Sequence, residues 1–149
     1  MAVETKPAKT PAHEAQRLFF EIGMEARQRA GRRLMEEGLS FPLAHVLRLI
    51  DPERPRPLGE LAELLACDAS NVTALADRLE SKGLAERQPD PADRRVKALA
   101  LTREGARMRE RVFDLMSEPP PAIAALSVAD QRALRDILRR AVKIQRGGS

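Results

Sequence analysis

Between positions 70 and 81 the chain places short polar side chains at helical spacing. Ser70, Asp77 and Ser81 share one face with the methyl of Ala74, and Asn71, Thr73 and Arg78 flank it. Hydroxyl and amide groups of this length reach base edges at close approach, and a methyl touches thymine. A helix face meant only for solvent more typically carries Glu, Lys and Gln. Further along, Arg94 and Arg95 stand together in a segment of turn-forming residues, Pro89-Asp90-Pro91-Ala92-Asp93. A loop tip needs no arginine in order to fold. Two adjacent guanidinium groups there fit phosphate oxygens or a minor groove. The chemistry within reach of these residues is recognition of double-stranded DNA rather than bond making. Plainer roles stand beside it. Ser70 and Asn71 suit a first helical turn, where polar groups satisfy free amides, and a charged loop suits solvent.

The elements that must position these side chains are legible on both sides. Val72, Leu75, Ala76 and Leu79 recur at i, i+3, i+4 and i+7, which gives the polar helix one buried face. Asp68 is its N-cap candidate, and Gly83 ends it as a residue free to take positive φ. Upstream, Leu61, Ala62, Leu64 and Leu65 form an apolar stripe broken by Glu60 and Glu63. Pro52, Pro55 and Pro57 keep that short helix from extending backwards. Ala66-Cys67-Asp68 is the turn between the two helices. Leu84 to Gln88 and Val96 to Leu101 then read as two strands around the arginine loop, with Leu99 and Leu101 on one face. Thr102 caps the next helix, and Gly105 in its first turn allows close backbone approach. Helix, tight turn, helix and hairpin in this order make a winged helix-turn-helix. The expected fold is mainly α with a small β-hairpin wing.

The remainder divides into an arm and helices. Residues 1–11, with Pro7, Pro11 and scattered lysines, read as a flexible arm ahead of a single domain over 12–149. From Ala12 to Glu37 apolar residues fall at Ala15, Leu18, Phe19, Ile22, Ala26, Ala30 and Leu34, a long amphipathic helix. Leu43, Val46, Leu47 and Ile50 mark a shorter one. Arg103 to Ser117 is helical up to Glu118-Pro119-Pro120-Pro121, and Ser127 caps a last helix striped by Leu134, Ile137, Leu138, Ala141 and Val142. Neither terminal helix, 12–37 or 122–146, has a core of its own to cover. Docking across a two-fold axis buries both stripes, and folding back on the winged motif within one copy is the alternative.

Other chemistry is excluded by what is missing. The 149 residues hold no phosphate-cradling glycine loop, no nucleophile elbow and no paired-histidine metal motif. His13 and His45 stand far apart without ligands at metal spacing, and Cys67 is alone, so no intrachain disulfide, metal site or cofactor is expected. Cys67 is read as a small apolar residue filling the turn, with a thiol redox sensor as its sharper alternative. No stretch approaches a membrane span and no leader pattern opens the chain, so a cytoplasmic protein without a membrane partner is expected. The net charge of +4 argues little, because residues 68–103 carry seven basic against six acidic groups. A winged helix that binds protein instead of DNA is therefore a second functional class.

In order and spacing, ELAELL, SNVTALADRLESKGLAER, DPADRR and LTREG resemble the MarR family of bacterial transcription regulators. The likeness is specific over residues 58–105, and helix order and length extend it to most of the chain. It implies a homodimer held by the first and last helices, reading a pseudo-palindromic operator as a ligand-responsive repressor. Asp93 and Arg95 match the family's Asp-x-Arg wing motif, and Asp77 and Arg78 its recognition-helix Asp-Arg pair. Two positions depart: many members have Arg where Ala74 stands and Gly where Ala66 stands. The family also implies a small effector, often an aromatic or phenolic acid, for which Leu18, Ile22, His45, Val46 and Ile50 are the expected lining. Asp77 faces DNA in this frame, so electrostatics predicts a cancelling arginine, and Arg95 is the expected partner.

Overall fold

The computed structural model describes residues 10–147, so the expected arm falls, up to residue 9, outside the described residues. In chain order the elements are α1 (Pro11–Glu36), α2 (Phe41–Leu49), β1 (Arg56–Pro57), α3 (Leu58–Leu64) and α4 (Ala69–Ser81). They continue as β2 (Ala85–Pro89), β3 (Lys97–Leu101), α5 (Arg103–Ser117), α6 (Pro121–Ala124) and α7 (Val128–Gly147). These residues form two compact units. Residues 29–118 make one, and the chain up to Gln28 with that from Pro119 onward makes the other.

The winged unit is built on one apolar cluster. Leu43, Val46 and Leu47 of α2 and the following Ile50 meet Leu61 of α3, Val72, Ala76 and Leu79 of α4, Leu99 of β3 and Val112 of α5. The buried face of α4 is the one its apolar spacing expects. That of α3 is rotated from expectation. Leu64 is 48% exposed, while Leu58, Ala62 and Leu65 pack against the core beside Leu61, the i, i+3, i+4, i+7 set of this helix.

The sheet has a third strand that the proline-rich stretch concealed. Its order is β1-β3-β2, all antiparallel, with Arg56 opposite Leu99, Pro57 opposite Ala98, and Arg87 opposite Leu99 on the other side. An edge strand tolerates Pro57, because only one side of it needs donors.

Turn chemistry then locks α5 onto this sheet. Gly83 stands at φ 69°, and Leu84 N–H reaches back to the Leu79 carbonyl at 2.9 Å, closing α4. The Thr102 hydroxyl donates to the Gly83 carbonyl at 2.6 Å and accepts from Gly105 N–H at 3.0 Å. A Cβ on Gly105 would lie 1.7 Å from the Leu84 carbonyl oxygen, so only glycine fits.

The other unit is helical. Ser127 caps α7, its Oγ accepting from Asp130 N–H at 3.1 Å, and Gln131 Nε2 ties the α6–α7 corner through the carbonyls of Ala124 and Leu126. No described residue of α7 is buried. No helix among the described residues is long and apolar enough to cross a membrane.

Candidate nucleic-acid interface

Every side chain expected to meet DNA is on the surface of the winged unit. Ser70, Asn71, Thr73, Ala74, Asp77 and Arg78 are exposed along α4, and Arg94 and Arg95 at the tip of the β2–β3 hairpin. Within this set the structure assigns different jobs. Asp68 accepts from Asn71 N–H at 2.9 Å and from the Ser70 hydroxyl at 2.7 Å, which is the expected N-cap. The Ser70 hydroxyl, then the Asn71 amide, hold the Asp68 carboxyl below its ordinary pKa. Ser70 is thus engaged in the cap, while Asn71 beside it is exposed on the first turn, the part of a recognition helix that meets bases.

The turn before α4 holds Ala66 at φ 49°, a left-handed conformation in which an L side chain is strained. Cys67 follows, half-buried, unpaired and packed against the core. Among the described residues no three His, Cys, Asp or Glu side chains gather where a metal ion could be held.

The wing tip is shaped by its own aspartates. Asp90 Oδ1 accepts from Ala92 N–H at 2.9 Å, and Asp93 Oδ1 from Arg95 N–H at 3.0 Å. Across the base of the tip, Asp90 N–H donates to the Val96 carbonyl at 2.8 Å. Arg95 folds onto Asp93, Nε to Oδ1 at 3.2 Å and Nη2 to Oδ2 at 3.3 Å. Those side-chain and backbone bonds lower the Asp93 pKa. Arg94 makes no such pair and extends into solvent.

The expected Arg95–Asp77 pair is therefore corrected. Asp77 does have an arginine partner, but it is Arg87 of β2, Nη2 to Oδ1 at 2.7 Å. Arg87 also forms an ion pair with Glu80 and donates to the Thr73 carbonyl at 3.1 Å. The reason is topological. Arg95 lies in the tip, beyond the last paired residues Pro89 and Lys97, whereas the middle of β2 is what runs beside α4. Burial works against the Arg87 charge, yet the Asp77 hydrogen bond and the charges of Glu80 and Asp77 raise its pKa overall. Sequence reasoning missed Arg87 although a signal was present. Strand alternation puts it on the same face as buried Ala85, and an inward arginine needs carboxylates nearby.

The residues expected to line an effector site are distributed differently. Val46 and Ile50 are 1% and 0% exposed and belong to the core cluster of the winged unit, so core packing is the role the structure gives them. His45 is exposed on α2, and Leu18 and Ile22 belong to the other unit.

Comparison with known proteins agrees with this geometry. The family model described as MarR family matches residues 39–97, from two residues before α2 through to the first residue of β3. The HTH-type transcriptional regulator MhqR of Bacillus subtilis is 26% identical over 110 residues, 73% of this chain and 76% of that protein. The crystal structure of the YusO protein of Bacillus subtilis superposes with a TM-score of 0.76 at 25% identity, covering 93% of this chain and 99% of that one. The transcriptional regulator Tm0710 of Thermotoga maritima is 30% identical, with a TM-score of 0.67 over 91% of this chain and 97% of that one. Helix-turn-helix, arginine-tipped wing and relatives agree, and the chain belongs to the MarR family of DNA-binding, winged-helix transcriptional regulators.

Proposed function

We propose that the protein acts as a homodimer whose two winged units read the half-sites of a pseudo-palindromic operator, and that it is a repressor released by a small aromatic acid. The observation that carries the dimer is the apolar surface left open by the terminal helices. Phe19 is 64% exposed, Ile137 53% and Ile144 76%. A groove of about 880 Å³ runs along α6 and α7, floored by Ile123, Leu134, Leu138 and Val142 and edged by Arg135 and Arg139. Apolar helical faces of this extent are covered in a stable protein, and a second copy supplies a self-complementary cover.

On DNA, α4 enters the major groove, with Asn71, Thr73 and Ala74 towards base edges, Arg78 at the flank, and Arg94 on phosphate or in the minor groove. Arg95, with Asp93, holds the tip in shape. Two recognition helices must sit about 34–36 Å apart to meet successive major grooves. A ligand that favours any other spacing releases the operator, and the family resemblance supports an aromatic or phenolic acid in that role. Light scattering of the purified chain tests the dimer directly, a monomer at micromolar concentration being the adverse result. Operator affinity measured across a panel of phenolic acids tests the effector class, which fails for acids that bind without changing that affinity.

A further inference from the structure

We propose that Arg87 is the positioning residue that joins the wing to the recognition helix and screens Asp77 and Glu80 from DNA phosphate. Its guanidinium and backbone reach three positions along one ridge of α4. The Thr73 carbonyl lies 3.1 Å from Nη2, Asp77 Oδ1 lies 2.7 Å from the same atom, and Glu80 pairs with Nη1. The Arg87 backbone N–H donates to Glu80 Oε1 at 2.8 Å. That amide belongs to an edge strand, paired only with β3, so a side chain of the recognition helix fills a hydrogen bond the sheet leaves open. One arginine thus spans positions 73, 77 and 80, successive i+4 and i+3 steps on one helix. The Arg87 side chain is 23% exposed while that of Asp77 is 63% exposed, so the arginine lies against the helix and the carboxylate sits at the surface.

Two consequences separate this role from a direct DNA contact. The first is electrostatic. Without Arg87, the reading face carries two unpaired carboxylates beside the phosphate backbone, and repulsion opposes every duplex. The second is geometric. A forked guanidinium holds β2 at a fixed angle to α4, so base contacts from the helix and the wing's backbone contact fall in register together. Arg87 touches no phosphate in this arrangement, so its removal takes away no phosphate contact from the counterions released on binding.

The proposal rests on α4 and the wing being the DNA face, and the test keeps the two ideas apart. The full chain and its Arg87→Ala, Arg87→Lys, Asp77→Asn and Arg87→Ala/Asp77→Asn variants are assayed against two duplexes. One is selected by the wild-type protein from a random pool, and the other is scrambled with the same composition. Binding is measured over a salt series, with melting temperature alongside. Arg87→Ala should lower affinity for the selected duplex about tenfold and affinity for the scrambled one less, with the salt slope changed by clearly less than the value of about 1 that a lost phosphate contact gives. Asp77→Asn should cost affinity in the wild type, where it breaks the Arg87 ion pair, yet recover about threefold in the Arg87→Ala background, a non-additive cycle. Arg87→Lys keeps the charge and loses the fork, so its selectivity should fall between the two. A salt slope lowered by about 1, with equal losses on both duplexes, would make Arg87 a phosphate contact and overturn the proposal. Additive losses in the cycle would overturn it as well. If Arg87→Ala does not fold, Arg87→Lys and its Asp77→Asn double variant carry the same comparison. A wild-type chain that binds neither duplex removes the DNA face and this proposal together.

Discussion

Asp77 is a carboxylate on the surface proposed to meet a polyanion, and its neighbours are arranged around that conflict. Arg87 takes up its charge, while Arg95 is occupied by Asp93, so these two of the wing's three arginines serve different partners. Arg95→Ala and Asp77→Ala should therefore weaken operator binding additively, because the residues share no contact. A double variant clearly better than the sum of the single losses would restore their partnership. Arg94 has no acid to satisfy. Arg94→Ala should weaken binding to all duplexes alike and lower the salt slope by about 1, read from affinity across a salt series. A third residue carries strain instead of charge. Ala66 sits at φ 49° between α3 and α4, and Ala66→Gly should stabilise the protein by about 1 kcal/mol, as glycine enters this region without steric cost. Chemical denaturation checks it; an unchanged midpoint would mean that the turn is relaxed.

Among the elements, the junction of α4, β2 and α5 depends on one missing side chain. The Leu84 carbonyl occupies the space where a Gly105 Cβ would stand, and Thr102 bonds to both Gly83 and Gly105 across it. Gly105→Ala must push α5 away from the sheet, with an expected loss of about 2 kcal/mol or more in denaturant unfolding. The helix start at Asp68 and the wing tip at Asp93 respond to acid in the same sense. Both carboxyls have folded pKa values below their ordinary 3.8. Their contribution is complete above that value and is lost as pH falls through it towards the folded pKa. Asp68→Asn keeps an N-cap acceptor that cannot titrate. The melting temperatures of wild type and Asp68→Asn should therefore converge between pH 6 and pH 3, and a constant gap would deny the cap its charge (pH limits on the order of the carboxylate range).

At the scale of the molecule, the winged unit has a core of its own, while the terminal helices expose theirs. α7 keeps no described residue buried, although Leu134, Leu138 and Val142 line one groove. Deleting the chain from Ser127 onward should uncover the apolar surface proposed to join two copies, giving aggregation or loss of operator binding in a mobility-shift assay. A soluble truncated monomer that still binds the operator tightly would place dimerisation elsewhere. The winged core does not use α7, so the same truncation should retain its cooperative unfolding.

The sequence by itself determined what depends on neighbours along the chain. The apolar face of α4, the caps at Asp68, Thr102 and Ser127, the end at Gly83 and the tight fit at Gly105 follow from helical periodicity and turn chemistry. Both have periods of only a few residues. The positive φ at Ala66 was legible in the same way, once the family pattern put glycine there. Tertiary structure decided what depends on elements meeting in space. β1 was hidden because prolines that end a helix are still permitted in an edge strand. The packing of Leu58 rather than Leu64 against the core followed from which side of α3 turns towards it. The partner of Asp77 was open for the same reason. Composition shows that a nearby arginine is needed, but which one arrives is set by how β2 passes α4, a distance that no local periodicity encodes.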